Sequence, residues 1–450
     1  MNKKKICYIV DHPVRDLPSA ILTSIELRSK FKVYLINFYQ YYELFFINPD
    51  IVFLNHVRDD YDTLLKILKK LKKKVVVHEQ EGGYFGPNNL DYFKFIKKNY
   101  EKNSYFDLFF IWGKKHFKIV SNYQEFKEFK HKFILSGTPR IDVLKFYKKN
   151  NTKEVFDILY NLNSNSVNPK YGQNKYKNFI LDINFKSKYS LPLIVRRRII
   201  KIHQNIKNII YLSRYCKVLV RPHPFEDENV YINFFKNNEN ISISMGSSLS
   251  HDMNISKVII SSYCQTVFDS VILKKPHISL AYLDKLANYR ICPIRYVSSL
   301  NIYSQKEFNN NVKKIIKTKF LFKNVKKFQD IIYNYNTFSF KKISYEISKL
   351  KLSKSKIKLS NFFTFLLSHN FLEINKIIFI ILFGLKNYLF LTKIIKNKKN
   401  ISKFFTVDDC NDIIKEYDSF NNRKFKIRKI SLKDYSSKLF FIKSDTIIIE

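Results

Sequence analysis

The 450-residue chain has few of the residues that punctuate or cross-link a fold: 8 Gly, 11 Pro and 5 Cys. The cysteines (Cys7, Cys216, Cys264, Cys292 and Cys410) are odd in number and scattered, with no C-x-x-C pair, which excludes a disulfide framework and a zinc site and fits a reducing compartment. Sparse glycine also removes the glycine-rich phosphate loops. There is no G-x-x-x-x-G-K-[ST] and no G-x-G-x-x-G after a candidate strand, so P-loop ATP hydrolysis and dinucleotide redox chemistry are set aside. No D-x-D stands at a suitable strand end, and neither a metal nor a cofactor is expected. The N-terminal apolar stretch, Ile6 to Val10, ends at Asp11 and His12, too short for a secretory core, so no export signal is expected. Acids are scarce as well: 38 Asp and Glu against 80 Lys and Arg give a formal charge of +42. That excess points first to nucleic acid or an anionic membrane. Most of it is Lys, 67 against 13 Arg, in a chain also rich in Asn, Ile, Phe and Tyr, so part of it reads as compositional background.

Hydrophobic residues make up 45% of a chain too long for one small core, and the length predicts more than one domain. Short apolar runs at Lys5–Val10, Val33–Phe38, Ile51–Asn55, Val75–His78, Leu108–Trp112 and Phe133–Leu135 read as strands buried on both faces. Between them, Leu64, Leu65, Leu68 and Leu71 line one face of a helix over Tyr61–Leu71. Strand and helix in alternation predict a parallel sheet under helices, a first Rossmann-like domain at residues 1–148. An Asn-rich stretch at 149–176 reads as a linker. Alternation resumes with strands expected at Asn178–Ile183, Lys217–Val220, Ile241–Ser244, Lys257–Ile260 and His277–Leu280, and helices near 192–214, 226–236 and 264–273, which sets a second α/β domain at 177–300. Residues 301–360 hold fifteen Lys and three acids without strand alternation, so 301–450 reads as a basic helical extension. Within it, Ile377–Leu385 is a nine-residue apolar run framed by Lys376 and Lys386. It falls short of the roughly 20 residues that cross a bilayer, leaving two readings for 377–391: a helix in the interface of an anionic membrane, or a helix buried against the body.

Candidate chemistry sits at strand C-terminal ends, where open α/β sheets bind ligands. In His78-Glu79-Gln80-Glu81-Gly82-Gly83, two carboxylates follow a strand, and two glycines allow close backbone approach to a ligand. Glu79 or Glu81 suits a general base or acid; the alternative is an ordinary turn with solvated acids. In Arg221-Pro222-His223-Pro224, two prolines hold His223 rigidly at a strand end, and Arg221 with His223 would converge on an anion such as a leaving phosphate. In Ser261-Ser262-Tyr263-Cys264-Gln265-Thr266, hydroxyls at a strand end precede a helix and would either cradle a phosphate or cap the helix. Ser136-Gly137-Thr138-Pro139-Arg140-Ile141-Asp142 either touches substrate or turns the chain into a helix starting at Pro139, and Asp182 reads as the end of the second domain's first strand, a candidate for a nucleophilic or electrostatic role.

Two Rossmann-like domains with these motifs resemble the GT-B glycosyltransferases, nearest to bacterial surface carbohydrate biosynthesis proteins similar to the capsule and lipopolysaccharide transferases that use CMP-activated Kdo or sialic acid. The resemblance covers residues 1–300 and rests on HEQEGG, RPHP and SSYCQT. It implies that Glu81 and Gly82 supply the acid-Gly step, His223 and Pro224 engage the CMP phosphate, and Ser261, Ser262 and Thr266 complete that pocket. Position 80 is Gln where the sialyltransferase pattern has a second acid, so the base is Glu79 or Glu81; Asp182 is the candidate for the second-domain Asp of the Kdo enzymes. The expected function is transfer of a sugar from a CMP-sugar donor to a glycan or lipid-linked acceptor, with the protein cytoplasmic and peripheral at the anionic inner face of the membrane. The alternatives are a CDP-polyol phosphotransferase of glycerol or ribitol phosphate type, a scaffold that has lost activity, or a non-catalytic basic protein that binds nucleic acid or membrane. With no RRM, helix-turn-helix or zinc-finger signature and with dispersed Lys, nucleic acid is not expected as a partner.

Overall fold

The computed structural model describes residues 3–38, 43–57, 61–80, 104–147, 153–170, 174–182, 191–262, 264–283, 297–317, 328, 330–334, 336–352, 405–417, 425–429 and 446–450. They form two compact α/β units, one built from the chain up to residue 146 and again from 329 onward, the other from 147–328. The strands are β1 Lys4–Val10, β2 Phe31–Asn37, β3 Ile51–Leu54, β4 Lys74–His78, β5 Leu108–Ile111, β6 Phe133–Leu135, β7 Phe156–Asn161, β8 Val218–Arg221, β9 Ile241–Ile243, β10 Ser256–Ser261, β11 His277–Leu280, β12 Leu300–Ile302, β13 Ile427–Lys429 and β14 Ile447–Ile449.

In the first unit the sheet order is β13-β14-β2-β1-β3-β4-β5-β6, and β1 to β6 pair in parallel. Parallel strands need cover on both faces, and β1 shows it: Ile6 to Val10 are all at most 1% exposed. The helix Pro13–Leu27 follows, with Pro13 in its first turn, where a missing N–H costs nothing, and it buries Leu17, Ala20, Ile21 and Ile25. The second sheet, β12-β11-β10-β7-β8-β9, is parallel throughout. Its core takes Ile199, Ile202, Ile206 and Ile209 from the helix Leu193–Ser213.

Three expectations change. The stretch 149–176 is not only a linker, because β7 lies inside it and is a central strand of the second sheet. Conversely, the strand expected at Asn178–Ile183 is the short helix Lys177–Leu181, which drops Ile180 into the core. The basic extension is divided: the helix Gln305–Lys317 buries Phe308, Val312 and Ile315 in the second unit, while later segments belong to the first. There β14 pairs antiparallel with β2, and Asp142 accepts from the Phe340 backbone N–H at 2.9 Å. The apolar run at 377–385 lies outside the described residues. No helix among the described residues is long and apolar enough to cross a membrane.

Two glycines let the returning chain dock. A Cβ on Gly113 would lie 2.2 Å from the Ile331 carbonyl oxygen, and one on Gly137, whose φ is +82°, 2.1 Å from that of Tyr333. The helix after Gly137 begins at Pro139, as the sequence predicts. Gly137→Ala is expected to destabilise the fold by at least ~2 kcal/mol, left-handed backbone strain plus the backbone clash. Gly246→Ala, at φ +77° with nothing within 4 Å, should cost about half that or less. Denaturant melts of the two variants check the difference.

Candidate functional site

The strand order of the second sheet reverses between β7 and β10, the position at which open α/β sheets place a ligand crevice beyond the C-terminal strand ends. Sheet register sets Ser279, Ser261, Asn161 and Arg221 in one row at that end. Across the reversal, Asn161 Nδ2 donates to Cys264 Sγ at 3.4 Å.

His223 leaves β8 into this region, half-buried between Pro222 and Pro224. The Phe225 backbone N–H donates to its Nδ1 at 3.3 Å, so in the neutral ring the proton sits on Nε2, a donor for an anionic oxygen. The turn is held twice more: Glu226 N donates to the His223 carbonyl at 2.7 Å, and Asp227 caps the helix Glu228–Phe235. Arg221 does not converge with His223 as the sequence suggests. Its NH1 pairs with the buried carboxylate of Asp252 and donates to Ser244 Oγ at 3.2 Å and the Ser247 carbonyl at 2.9 Å, so it braces the loop after β9.

The hydroxyl motif divides in the same way. Ser261 is fully buried; its Oγ lies 2.9 Å from His277 Nε2 and donates to the Ser262 carbonyl. Burial pushes His277 down to about 3, so that ring is neutral. Ser262 remains at the strand end, 6% exposed. Thr266 opens the helix Thr266–Ile272, is 4% exposed, and its Oγ1 has no hydrogen-bond partner. Ser164, in the loop after β7, likewise has an unpartnered buried hydroxyl. Asp182 ends a helix and not a strand, its N–H donating to the Asn178 carbonyl, which removes the basis for matching it to a strand-end Asp.

Sequence reasoning missed Glu226. It is 1% exposed, accepts from the Ser164 N–H and from Tyr231 Oη at 2.7 Å, and so ties the loop after β7 to the loop that carries His223. Burial pushes its carboxyl up to about 7. The signal was present, a carboxylate three residues past His223, but only the fold shows that it points inward.

In the first sheet the order reverses between β1 and β3. Asp16 lies beside that point, fully buried, accepting from the His12 N–H at 3.0 Å, Asn55 Nδ2 at 2.8 Å and Arg15 Nε at 2.6 Å. His78 at the end of β4 is fully buried, and desolvation lowers it to about 4. The neutral ring donates from Nε2 to the Gly137 carbonyl at 3.1 Å and accepts at Nδ1 from Gln80 Nε2 at 3.3 Å. Gln80 also reaches Tyr8 Oη at 3.4 Å. Gln80 therefore supplies a donor that a carboxylate could not. Glu79 is 6% exposed, and its carbonyl accepts from Trp112 Nε1 at 2.6 Å. Glu81, Gly82 and Gly83 lie outside the described residues. Among the described residues no cluster of three His, Cys, Asp or Glu side chains is arranged to hold a metal ion.

No protein-family model and no curated protein sequence matches the chain. Solved structures similar to it include S. aureus MnaA with UDP (11% identity, TM-score 0.47, covering 80% of this chain and 100% of that one). Others are the Neisseria meningitidis UDP-GlcNAc 2-epimerase bound to UDP-GlcNAc (12%, 0.44, 77% and 98%) and the wall teichoic acid polymerase TagF (16%, 0.44, 77% and 88%).

Glu226 binds its proton more tightly in the fold than in the unfolded chain, so its contribution is largest when protonated and is lost as pH rises from about 4.5 to about 7. Glu226→Gln is therefore expected to gain several degrees in Tm relative to the parent chain between pH 4.5 and 7.5, read by paired thermal melts. Gln80→Glu, which places a carboxylate against the His78 acceptor nitrogen, is expected to lower Tm at neutral pH and to recover part of the loss on acidification.

Proposed function

We propose that the chain is a nucleotide-dependent transferase of GT-B type acting in surface-glycan assembly, with a CMP-activated sugar as donor and a glycan or lipid-linked molecule as acceptor. The observation that carries this reading is His223, held between prolines at the end of β8 with Nδ1 occupied by the Phe225 N–H, next to the β7–β10 reversal. A CMP-sugar carries its own leaving phosphate, so the chemistry needs a donor on that phosphate and one activated hydroxyl. His223 Nε2 would donate to the phosphate oxygen as negative charge builds. The unpartnered Thr266 hydroxyl, with Ser262, supplies further hydrogen-bonding capacity. As the acceptor oxygen bonds to the anomeric carbon, the carbon–oxygen bond to CMP breaks and CMP leaves with the electron pair. The hydroxyl proton passes to a carboxylate base, the role that the resemblance gives to Glu79 or Glu81. Arg221 takes no part as a phosphate ligand in this scheme, since Asp252 holds it.

Incubation with CMP-Kdo, CMP-sialic acid, CDP-glycerol and UDP-GlcNAc, scored by nucleotide release in the presence of acceptor glycolipid, tests the donor. Turnover is expected with a CMP-sugar and should fall at least ~100-fold in His223→Ala. Thr266→Val is expected to raise KM about tenfold without lowering Tm, because the hydroxyl it removes has no partner in the protein. Turnover with CDP-glycerol alone would make the enzyme a polyol-phosphate transferase. Failure of all four nucleotides to bind would end the proposal.

A further inference from the structure

The lysines of the first unit are not all dispersed. A cavity of about 290 Å³ is lined by Lys69, Lys72, Lys73, Lys74, Lys132 and Lys351, with Ser104, Tyr105, Phe106 and a single acid, Asp107. The chain as a whole carries 80 basic residues to 38 acidic ones; this wall carries six to one. Asp107 is already taken, with Lys74 Nζ 2.7 Å from its Oδ1 and the Val75 N–H 2.9 Å from its Oδ2. It offsets one ammonium and leaves the cavity strongly positive.

Position separates this cavity from the candidate active site. Lys74 begins β4, Asp107 precedes β5 and Lys132 precedes β6, so the lysines gather at the N-terminal edge of the sheet. His78 ends β4 at the other edge, four residues and so about 13 Å further along the strand. The amines are held in place. Lys69 Nζ lies 5.0 Å from the Tyr105 ring centroid and Lys132 Nζ 5.9 Å from that of Phe106, while Lys73 Nζ donates to Asn48 Oδ1 at 2.6 Å. Lys69 and Lys72 lie in and just beyond the last turn of the helix Asp62–Lys70, whose carbonyl end tolerates a concentration of positive charge. The cavity, open to solvent on one side, has the volume of a head-group-sized ligand, at the small end of ordinary ligand sites.

We infer that this cavity binds a phosphate-bearing polyanion, either a soluble oligophosphate or the head group of an anionic lipid, at a site distinct from the transferase crevice. Crowding of like charge gives the cavity a reason to favour such a ligand. Lys132 is held below its ordinary value, first by burial and then by Lys69 and Lys74, and Lys73 is lowered to about 8, chiefly by burial. An anion among them reverses that repulsion.

Inorganic tripolyphosphate, followed by calorimetry on the full chain, tests the site, and flotation with phosphatidylcholine vesicles containing phosphatidylglycerol tests the lipid source. Three proteins are compared: the parent, the cavity pair Lys69→Gln/Lys132→Gln, and a charge-matched pair of exposed residues in the other unit, Lys207→Gln/Lys236→Gln. Tripolyphosphate is expected to bind the parent with one-to-one stoichiometry, to weaken at least tenfold in the cavity pair and to stay within twofold in the matched pair. Loss of vesicle binding in the cavity pair alone assigns the head group as well; vesicle binding unchanged in both pairs assigns the soluble ligand. If the cavity pair melts early, Lys351→Gln, at an exposed position of the same wall, replaces it, with a loss of at least threefold expected. Equal tripolyphosphate affinity in the parent and in the cavity variants, or an equal loss in both pairs, overturns the inference.

Discussion

Parallel strands covered on both faces have nowhere to carry polar side chains except their ends, and most of what this molecule can do follows from that constraint. Ile6 to Val10 of β1 and Ile158 to Tyr160 of β7 are sealed from solvent, so chemistry is displaced to the residues that follow them. In the second unit the displacement yields a single polar row, Ser279, Ser261, Asn161 and Arg221, at the one end of the sheet where loops diverge. Loops leaving that end need not satisfy the sheet, which is why His223 can stand between two prolines that would be intolerable inside β8, a strand paired on both sides.

Most polar groups at these ends are consumed by the fold. Arg221 and Asp252 neutralise each other beside Ser244 and Ser247; Ser261 and His277 share a hydrogen bond; Gln80 and His78 are locked to Tyr8 and the Gly137 carbonyl. Such networks hold the turns in one arrangement because breaking any member strands a buried partner at a cost of about 1–3 kcal/mol. Some described hydroxyls stand outside this arrangement, Thr266, Ser164 and Ser279 among them, and carry that cost in the structure as it stands. A ligand that hydrogen-bonds to them offsets it, which makes satisfied polar groups poor guides to the site and unsatisfied ones better guides.

Strand-end motifs are legible in sequence because their signal is local. RPHP announces a rigid His after an apolar run, and β8 ends at Arg221, one residue beyond the expected boundary. What those side chains touch is not local, and there sequence reasoning assigned Arg221 and Ser261 to a ligand when Asp252 and His277, 31 and 16 residues away, already hold them. β7 was missed for a related reason. Its residues, FDILYN, carry an ordinary strand signal, but the Asn-rich flanks mark the region as a connection, and the next apolar cluster, Phe179 to Leu181, looked like the better strand. The pairing of β14 with β2 has no local signature that separates it from any short run of Ile, because a sheet edge recruits it from more than 400 residues away.

The charge excess is where composition misleads most. A lysine alone on a wet surface acts over little more than the Debye length, roughly 8 Å at physiological salt, so dozens of them spread over two units do not sum to a strong field at any one point. Six lining one cavity act together far more than six scattered ones, since they share a single concave surface. The formal charge of +42 therefore says less about partners than the ratio of basic to acidic groups around a single concave surface. By that measure the electrostatically informative lysines are those at the N-terminal edge of the first sheet, contributed by segments as far apart as Lys69 and Lys351 and brought together only by the fold.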